Sequence, residues 1–174
     1  MIRIAVTGPE STGKSTLAAK LAQHYKTVYN PEYAREYIDQ LKRPYEYEDI
    51  ENIAKEQMNR ERDLLKQATG ILFADTELLV IKVWMEHKYK KTPSWLPDAI
   101  IRNKYDLYLL CDVDVPWEKD QQREHPHMRA YFFEKYRNEL DQIHFPYVIV
   151  SGNREERFSK AVTYTDKLLE GSKK

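Results

Sequence analysis

The chain has 174 residues, enough for one domain with a buried core, and its 28 Lys and Arg balance its 28 Asp and Glu. A net charge of zero argues against a polyanion-binding surface, so neither nucleic acid nor an anionic membrane is an expected partner. A single cysteine, no apolar stretch of spanning length and an opening directly into a strand argue against a disulfide scaffold, a transmembrane helix and a signal peptide; a cytoplasmic protein is expected.

Ile2-Arg3-Ile4-Ala5-Val6 is short, apolar and β-branched, the pattern of a buried strand. It runs into Gly8-Pro9-Glu10-Ser11-Thr12-Gly13-Lys14-Ser15-Thr16, which matches G-x-x-x-x-G-K-[ST], the phosphate-binding loop of P-loop nucleotide enzymes. Leu17, Leu21 and Tyr25 then fall on one helix face with Ala18 and Ala22 beside them. Strand, glycine loop and helix thus come in the order that phosphate binding requires. Gly8 and Gly13 allow the backbone to curl its amides around phosphate oxygens, and the helix N-terminus adds unpaired donors and partial positive charge. Lys14 can reach the β- and γ-phosphates of ATP, and the Ser15 hydroxyl can join a Mg²⁺ shell.

Thr27 to Asn30 reads as a short second strand ended by Pro31, and Glu32 to Ile38 as a helix. A long polar helix is expected from Asp49 to Ala68, stopped at Gly70, followed by the strand Ile71 to Asp75 and an amphipathic helix from Leu78 to Tyr89. After a proline-flanked loop, a short helix from Asp98 to Lys104 leads to the strand Asp106 to Asp112. Arg129 to Gln142 is helical, Pro146 to Val150 is the last strand and Glu155 to Leu169 the last helix. Strands alternating with helices define an α/β chain with a parallel sheet covered on both faces. Residues 1–170 are expected to form one domain and 171–174 a frayed tail.

Ligands of such sheets gather at the carboxyl ends of the strands, which selects the polar residues to weigh. Asp75 closes its strand and is a candidate second anchor for Mg²⁺, or alternatively an N-cap for the helix that follows. Glu32 and Arg35 follow the second strand; one can orient or deprotonate an acceptor hydroxyl and the other hold a polar acceptor, or both can belong to a solvated helix face. Glu10 can touch the metal through water. The segment from about residue 114 to 130 has the character of a lid whose Arg123 and Arg129 would neutralise charge on a transferred phosphoryl group, the alternative being ordinary surface charges. His125 and His127 flank it without a third ligand for zinc. Asn153 and Arg154 are candidates for base contacts or for a turn and cap. Cys111, inside an apolar run, reads as a buried and inert thiol. Asn103-Lys104-Tyr105-Asp106 spells the N-K-x-D of guanine-specific proteins, but it precedes its strand and so lies at the wrong edge of the sheet.

Gly8 to Thr16, Pro31-Glu32-Tyr33-Ala34-Arg35-Glu36, Phe73-Ala74-Asp75-Thr76, Asp114-Val115-Pro116-Trp117 with Asp120 and Arg123, and Ser151-Gly152-Asn153 with Arg157 together resemble one family. It is the ribosylnicotinamide-kinase domain, an AAA-type ATP-binding unit, of the bacterial bifunctional nicotinamide-nucleotide adenylyltransferase and ribosylnicotinamide kinase. The resemblance implies a three-layer P-loop fold with strand order 2-3-1-4-5 and transfer of the ATP γ-phosphoryl to the ribose 5′-hydroxyl of nicotinamide riboside. It assigns ATP and Mg²⁺ to Lys14, Ser15 and Asp75, beside the residues Gly8, Glu10, Ser11, Thr12, Gly13 and Thr16 that the glycine loop itself selects for the nucleotide, with Glu32 or Asp75 near the acceptor hydroxyl and Arg123 and Arg129 closing over the phosphates. The alternative is a regulatory ATP-binding module that acts on a protein partner. The chain departs from the family in lacking an H-x-G-H motif and in carrying Gln121-Gln122 where relatives have a glycine before the arginine. For the nicotinamide ring, Tyr33, Tyr45, Trp84 and Trp95 are candidate stacking partners.

Overall fold

A computed structural model describes residues 1–171. Strand β1 (Ile2–Thr7) lies at the centre of a five-stranded sheet, between β3 (Ile71–Asp75) and β4 (Leu107–Cys111). β2 (Tyr29–Asn30) and β5 (Tyr147–Val150) form the two edges, so the order is β2-β3-β1-β4-β5 and every pairing is parallel, as the resemblance implied. The register sets Val6 opposite Asp75 and Thr7 opposite Leu110, which brings the carboxyl ends of the three central strands to one rim.

Two helices cover one face, α1 (Lys14–His24) and α7 (Arg154–Gly171). The other face carries α3 (Tyr47–Leu65), α4 (Leu78–Tyr89), α5 (Leu96–Arg102) and α6 (Arg129–Gln142), while α2 (Tyr33–Gln40) connects β2 to α3. Two cores result because strand side chains alternate between faces. Ile4, Val6, Phe73, Leu109, Cys111 and Val150 face α1 and α7, whereas Ala5, Ala74, Tyr108 and Leu110 face the opposite layer.

Several boundaries differ from expectation, and three of them are informative. α3 begins at Tyr47 rather than Asp49, because Asp49 sits in the third helical position and its carboxylate accepts the Glu46 N–H at 2.7 Å, as a capping acid does. α5 begins at Leu96, two residues before Asp98, with Pro97 in the first turn where its missing N–H costs nothing. Gly171, expected in a frayed tail, is the last residue of α7, and residues 172–174 lie outside the described residues. Among the described residues no helix is long and apolar enough to cross a membrane.

Candidate functional site

Residues 8–13 link β1 to α1 at the rim. Gly8 has φ 133°, and a Cβ there would lie 2.9 Å from the Cys111 carbonyl oxygen, so β4 comes too close for any side chain. Gly13, the residue before α1, has φ 80°, and no side chain caps the first amides of the helix, which leaves them for an anion. The Thr12 hydroxyl and the Lys14 ammonium each donate to the Pro9 carbonyl at 2.8 Å and hold the loop in its curl. Arg157 of α7 braces the loop from below. Its buried guanidinium donates to the carbonyls of Thr12 (2.8 Å), Gly152 (2.7 Å) and Asp112 (3.0 Å), and it pairs with Asp114. Outside the family resemblance, nothing in the helical pattern of α7 marks this arginine as different from its neighbours.

Asp75 is buried at the end of β3, and its Oδ1 has no hydrogen-bond partner. Burial, and then the facing Glu32 charge, push its carboxyl up to about 6, against the pull of the Lys14 charge, the Ser15 hydroxyl and the Arg35 charge. Capping of α4 falls to Glu77 instead, whose carboxylate accepts the Leu79 N–H at 2.6 Å and the Thr7 hydroxyl at 3.2 Å. The capping alternative for Asp75 therefore falls away. Glu77 is itself pushed up to about 7 by burial. The orphaned oxygen, the Ser15 hydroxyl and the partial cost of ionising Asp75 are what a hard cation would relieve, so this donor set fits Mg²⁺.

Residues between β4 and α6 fold over the loop. Ser11 is the main contact: its hydroxyl accepts from the Glu118 N–H at 2.8 Å and from Arg123 at 3.3 Å, and its carbonyl accepts from Arg129 at 3.2 Å. The Glu10 carboxylate accepts the N–H groups of Glu124 and His125 at 3.1 and 3.2 Å, so it faces this covering segment. On the far side Arg35 donates to Asp120 at 2.8 Å and lies 3.9 Å from Glu32, while the Gln122 amide donates to the Arg35 carbonyl at 3.2 Å. The Gln121-Gln122 departure thus supplies a tie to α2.

Beneath this cover lies one cavity of about 970 Å³. Gly8 to Thr16 line it together with Glu32, Arg35, Arg123, Asn153 and Arg154. Asn153 also caps α7, its side-chain oxygen accepting from the Glu155 N–H at 2.9 Å, which is the turn-and-cap reading of that residue. Tyr45, Trp84, His87, Phe132 and Tyr136 also line the cavity. Trp84 donates to the Tyr45 hydroxyl at 3.1 Å, and Tyr45 in turn donates to Glu124 at 2.9 Å. Of the four aromatic candidates only Tyr45 and Trp84 reach the cavity; Tyr33 stacks under Arg60, and Trp95 donates to Glu51. Phe132 and Tyr136 were not foreseen, because on α6 they read as ordinary core positions. Asp106 of the N-K-x-D sequence accepts the Arg3 N–H at 2.8 Å, at the opposite edge of the sheet.

A parallel sheet of this order, a glycine loop capping its central strand and a cavity at the strands' carboxyl ends define a P-loop nucleotide-binding fold. The AAA domain family matches residues 3–157, and the chain belongs to that family. It is 28% identical over 123 residues to the trifunctional NAD biosynthesis/regulator protein NadR of Escherichia coli (strain K12), a match covering 67% of this chain and 30% of that protein. Among solved structures it is similar to NadR protein in complex with NR (TM-score 0.78, 22% identity, 95% of this chain and 51% of that chain). It is also similar to NadR protein in complex with NAD and AMP-PNP (TM-score 0.79, 21% identity, 95% and 49%). The chain therefore spans about half the length of those solved chains and less than a third of the curated relative.

Proposed function

We propose that this protein is an ATP- and Mg²⁺-dependent kinase that phosphorylates the hydroxyl of a small nucleoside-like alcohol, nicotinamide riboside before others. The observation that carries the reading is a cavity of about 970 Å³ lined both by the phosphate loop and by aromatic side chains. A nucleoside-like alcohol has the shape for it, with a planar ring for Tyr45 and Trp84 and a hydroxyl directed at the loop. The similarity to NadR structures holding NR or AMP-PNP supports the same two occupants.

In this reading the amides of residues 8–16 and Lys14 bind the ATP phosphates, with Asn153 and Arg154 at the nucleotide end. Ser15 and Asp75 hold Mg²⁺, which would neutralise phosphate charge when bound. Glu32 orients the acceptor hydroxyl and takes its proton, since Asp75 is committed to the metal, and Arg35 holds the acceptor. Residues 114–130 act as a lid that excludes water, with Arg123 and Arg129 set against the charge of the transferred group.

ATP consumption measured with and without nicotinamide riboside tests the reading. Stoichiometric conversion of riboside to its monophosphate is expected, and Lys14→Ala is expected to abolish it. Turnover of ATP that is indifferent to the riboside would instead favour a regulatory module with a protein partner.

A further inference from the structure

Gln57 is a polar side chain in the middle of α3, only 4% exposed, and it does not itself line the cavity. Its amide is used in full. The carbonyl oxygen accepts the Tyr33 N–H at 2.9 Å, and the NH₂ group donates to the Pro31 carbonyl at 3.2 Å and to the Thr76 carbonyl at 3.2 Å. Pro31 and Tyr33 flank Glu32, and Thr76 follows Asp75. One side chain therefore holds the backbone of both carboxylate-bearing segments. Its own main-chain carbonyl accepts from the Asn30 side chain at 3.2 Å, which ties α3 to the end of β2 as well.

Asp75 is set against Val6 by the β1–β3 ladder, but Glu32 and the turn after Asp75 lie beyond their strands. β2 has two residues, so its ladder with β3 stops at the pair Asn30 and Ala74, before either carboxylate is reached. Thr76 has φ 71°, a left-handed conformation that a β-branched residue resists. Besides the Gln57 bond, the Thr76 backbone is held by its N–H to the Val6 carbonyl at 3.3 Å. An amide is the one uncharged side chain with an acceptor and two donors on a single plane, which is the set these three backbone groups call for.

We propose that Gln57 is a positioning residue that fixes Glu32 and Asp75 relative to one another by clamping the backbone on both sides of the β2–β3 gap. The inference rests on the roles given above to those two carboxylates. A shift of about 1 Å in such a group can cost on the order of a hundredfold in rate.

The test compares wild type with Gln57→Met, which keeps the volume and loses all three side-chain bonds. Affinity for a non-hydrolysable ATP analogue in chelator is expected within about twofold of wild type, since the loop amides are untouched, while Mg²⁺ affinity of the analogue complex falls about fivefold or more and kcat with riboside falls roughly 10–100-fold at little changed KM. Should Gln57→Met fail to fold, Gln57→Glu, which keeps the length and the acceptor for Tyr33, carries the same expectations; if both unfold, Gln57 is a folding residue and the proposal is withdrawn. It is also overturned if neither Mg²⁺ affinity nor kcat changes, or if chelator-phase nucleotide affinity falls in parallel. Should the wild type phosphorylate no riboside, the kinase reading fails, and Mg²⁺ affinity alone decides for or against the clamp.

Discussion

The carboxyl of Asp75 is held near 6 by burial and the Glu32 charge, above the ordinary 3.8, so the folded protein binds a proton there that the unfolded chain has released. The sign follows from that difference. Folding is favoured by this group at low pH, and the benefit is lost as pH rises from about 4 through about 6, at a cost of up to about 3 kcal/mol at neutral pH. Glu77, raised to about 7, acts in the same direction. Without divalent cations, Asp75→Asn is therefore expected to raise the unfolding midpoint at pH 8 by up to roughly 6–12 °C relative to wild type and to lose that advantage at pH 4. The same substitution should weaken the Mg²⁺ enhancement of nucleotide binding at least about tenfold by calorimetry. An unchanged Mg²⁺ dependence would remove Asp75 from the metal role. Cys111, by contrast, is inert by position: burial pushes its thiol up to about 11, and its backbone presses on Gly8.

Among the elements, those legible in the sequence were the ones whose pattern depends on local chemistry. The runs Ile2 to Val6, Ile71 to Asp75 and the apolar stretch ending at Cys111 read as strands because both faces of the sheet are covered, and the glycine loop is spelled out. What a linear pattern cannot carry is which loop touches which. The contacts of Ser11 with Glu118, Arg123 and Arg129 join residues more than 100 positions apart, and Gln57 reads as one more polar residue of a polar helix. The covering segment also has no helix or strand of its own, so its hold on the loop is a short set of hydrogen bonds. If it is a lid, Arg123→Ala should leave ATP affinity within about threefold and lower kcat by roughly a hundredfold or more, because an arginine acting on the transferred phosphoryl contributes mainly in the transition state. An equal loss in both quantities would make Arg123 a nucleotide-binding residue instead.

At the scale of the molecule, three loops at the carboxyl rim, after β1, β4 and β5, are joined by one guanidinium. Arg157 reaches the carbonyls of Thr12, Asp112 and Gly152 and the carboxylate of Asp114, so the phosphate loop, the start of the covering segment and the turn carrying Asn153 are fixed to α7 together. The sheet alone would not do this, since its ladders end at the rim. Arg157→Met keeps much of the packed stem but takes their donor from three carbonyls and the charge partner from Asp114, which is itself exposed and keeps the Gly152 N–H, a loss on the order of 1–3 kcal/mol. Arg157→Lys restores a charge for Asp114 but lacks the planar fork that reaches the carbonyls at once, so it should recover only part of the stability. Denaturant titration of the three proteins checks this order, and nucleotide binding should fall with stability because the loop loses its brace. Should Arg157→Met unfold at the wild-type midpoint, the loops are held by their strands and α7 is only a cover.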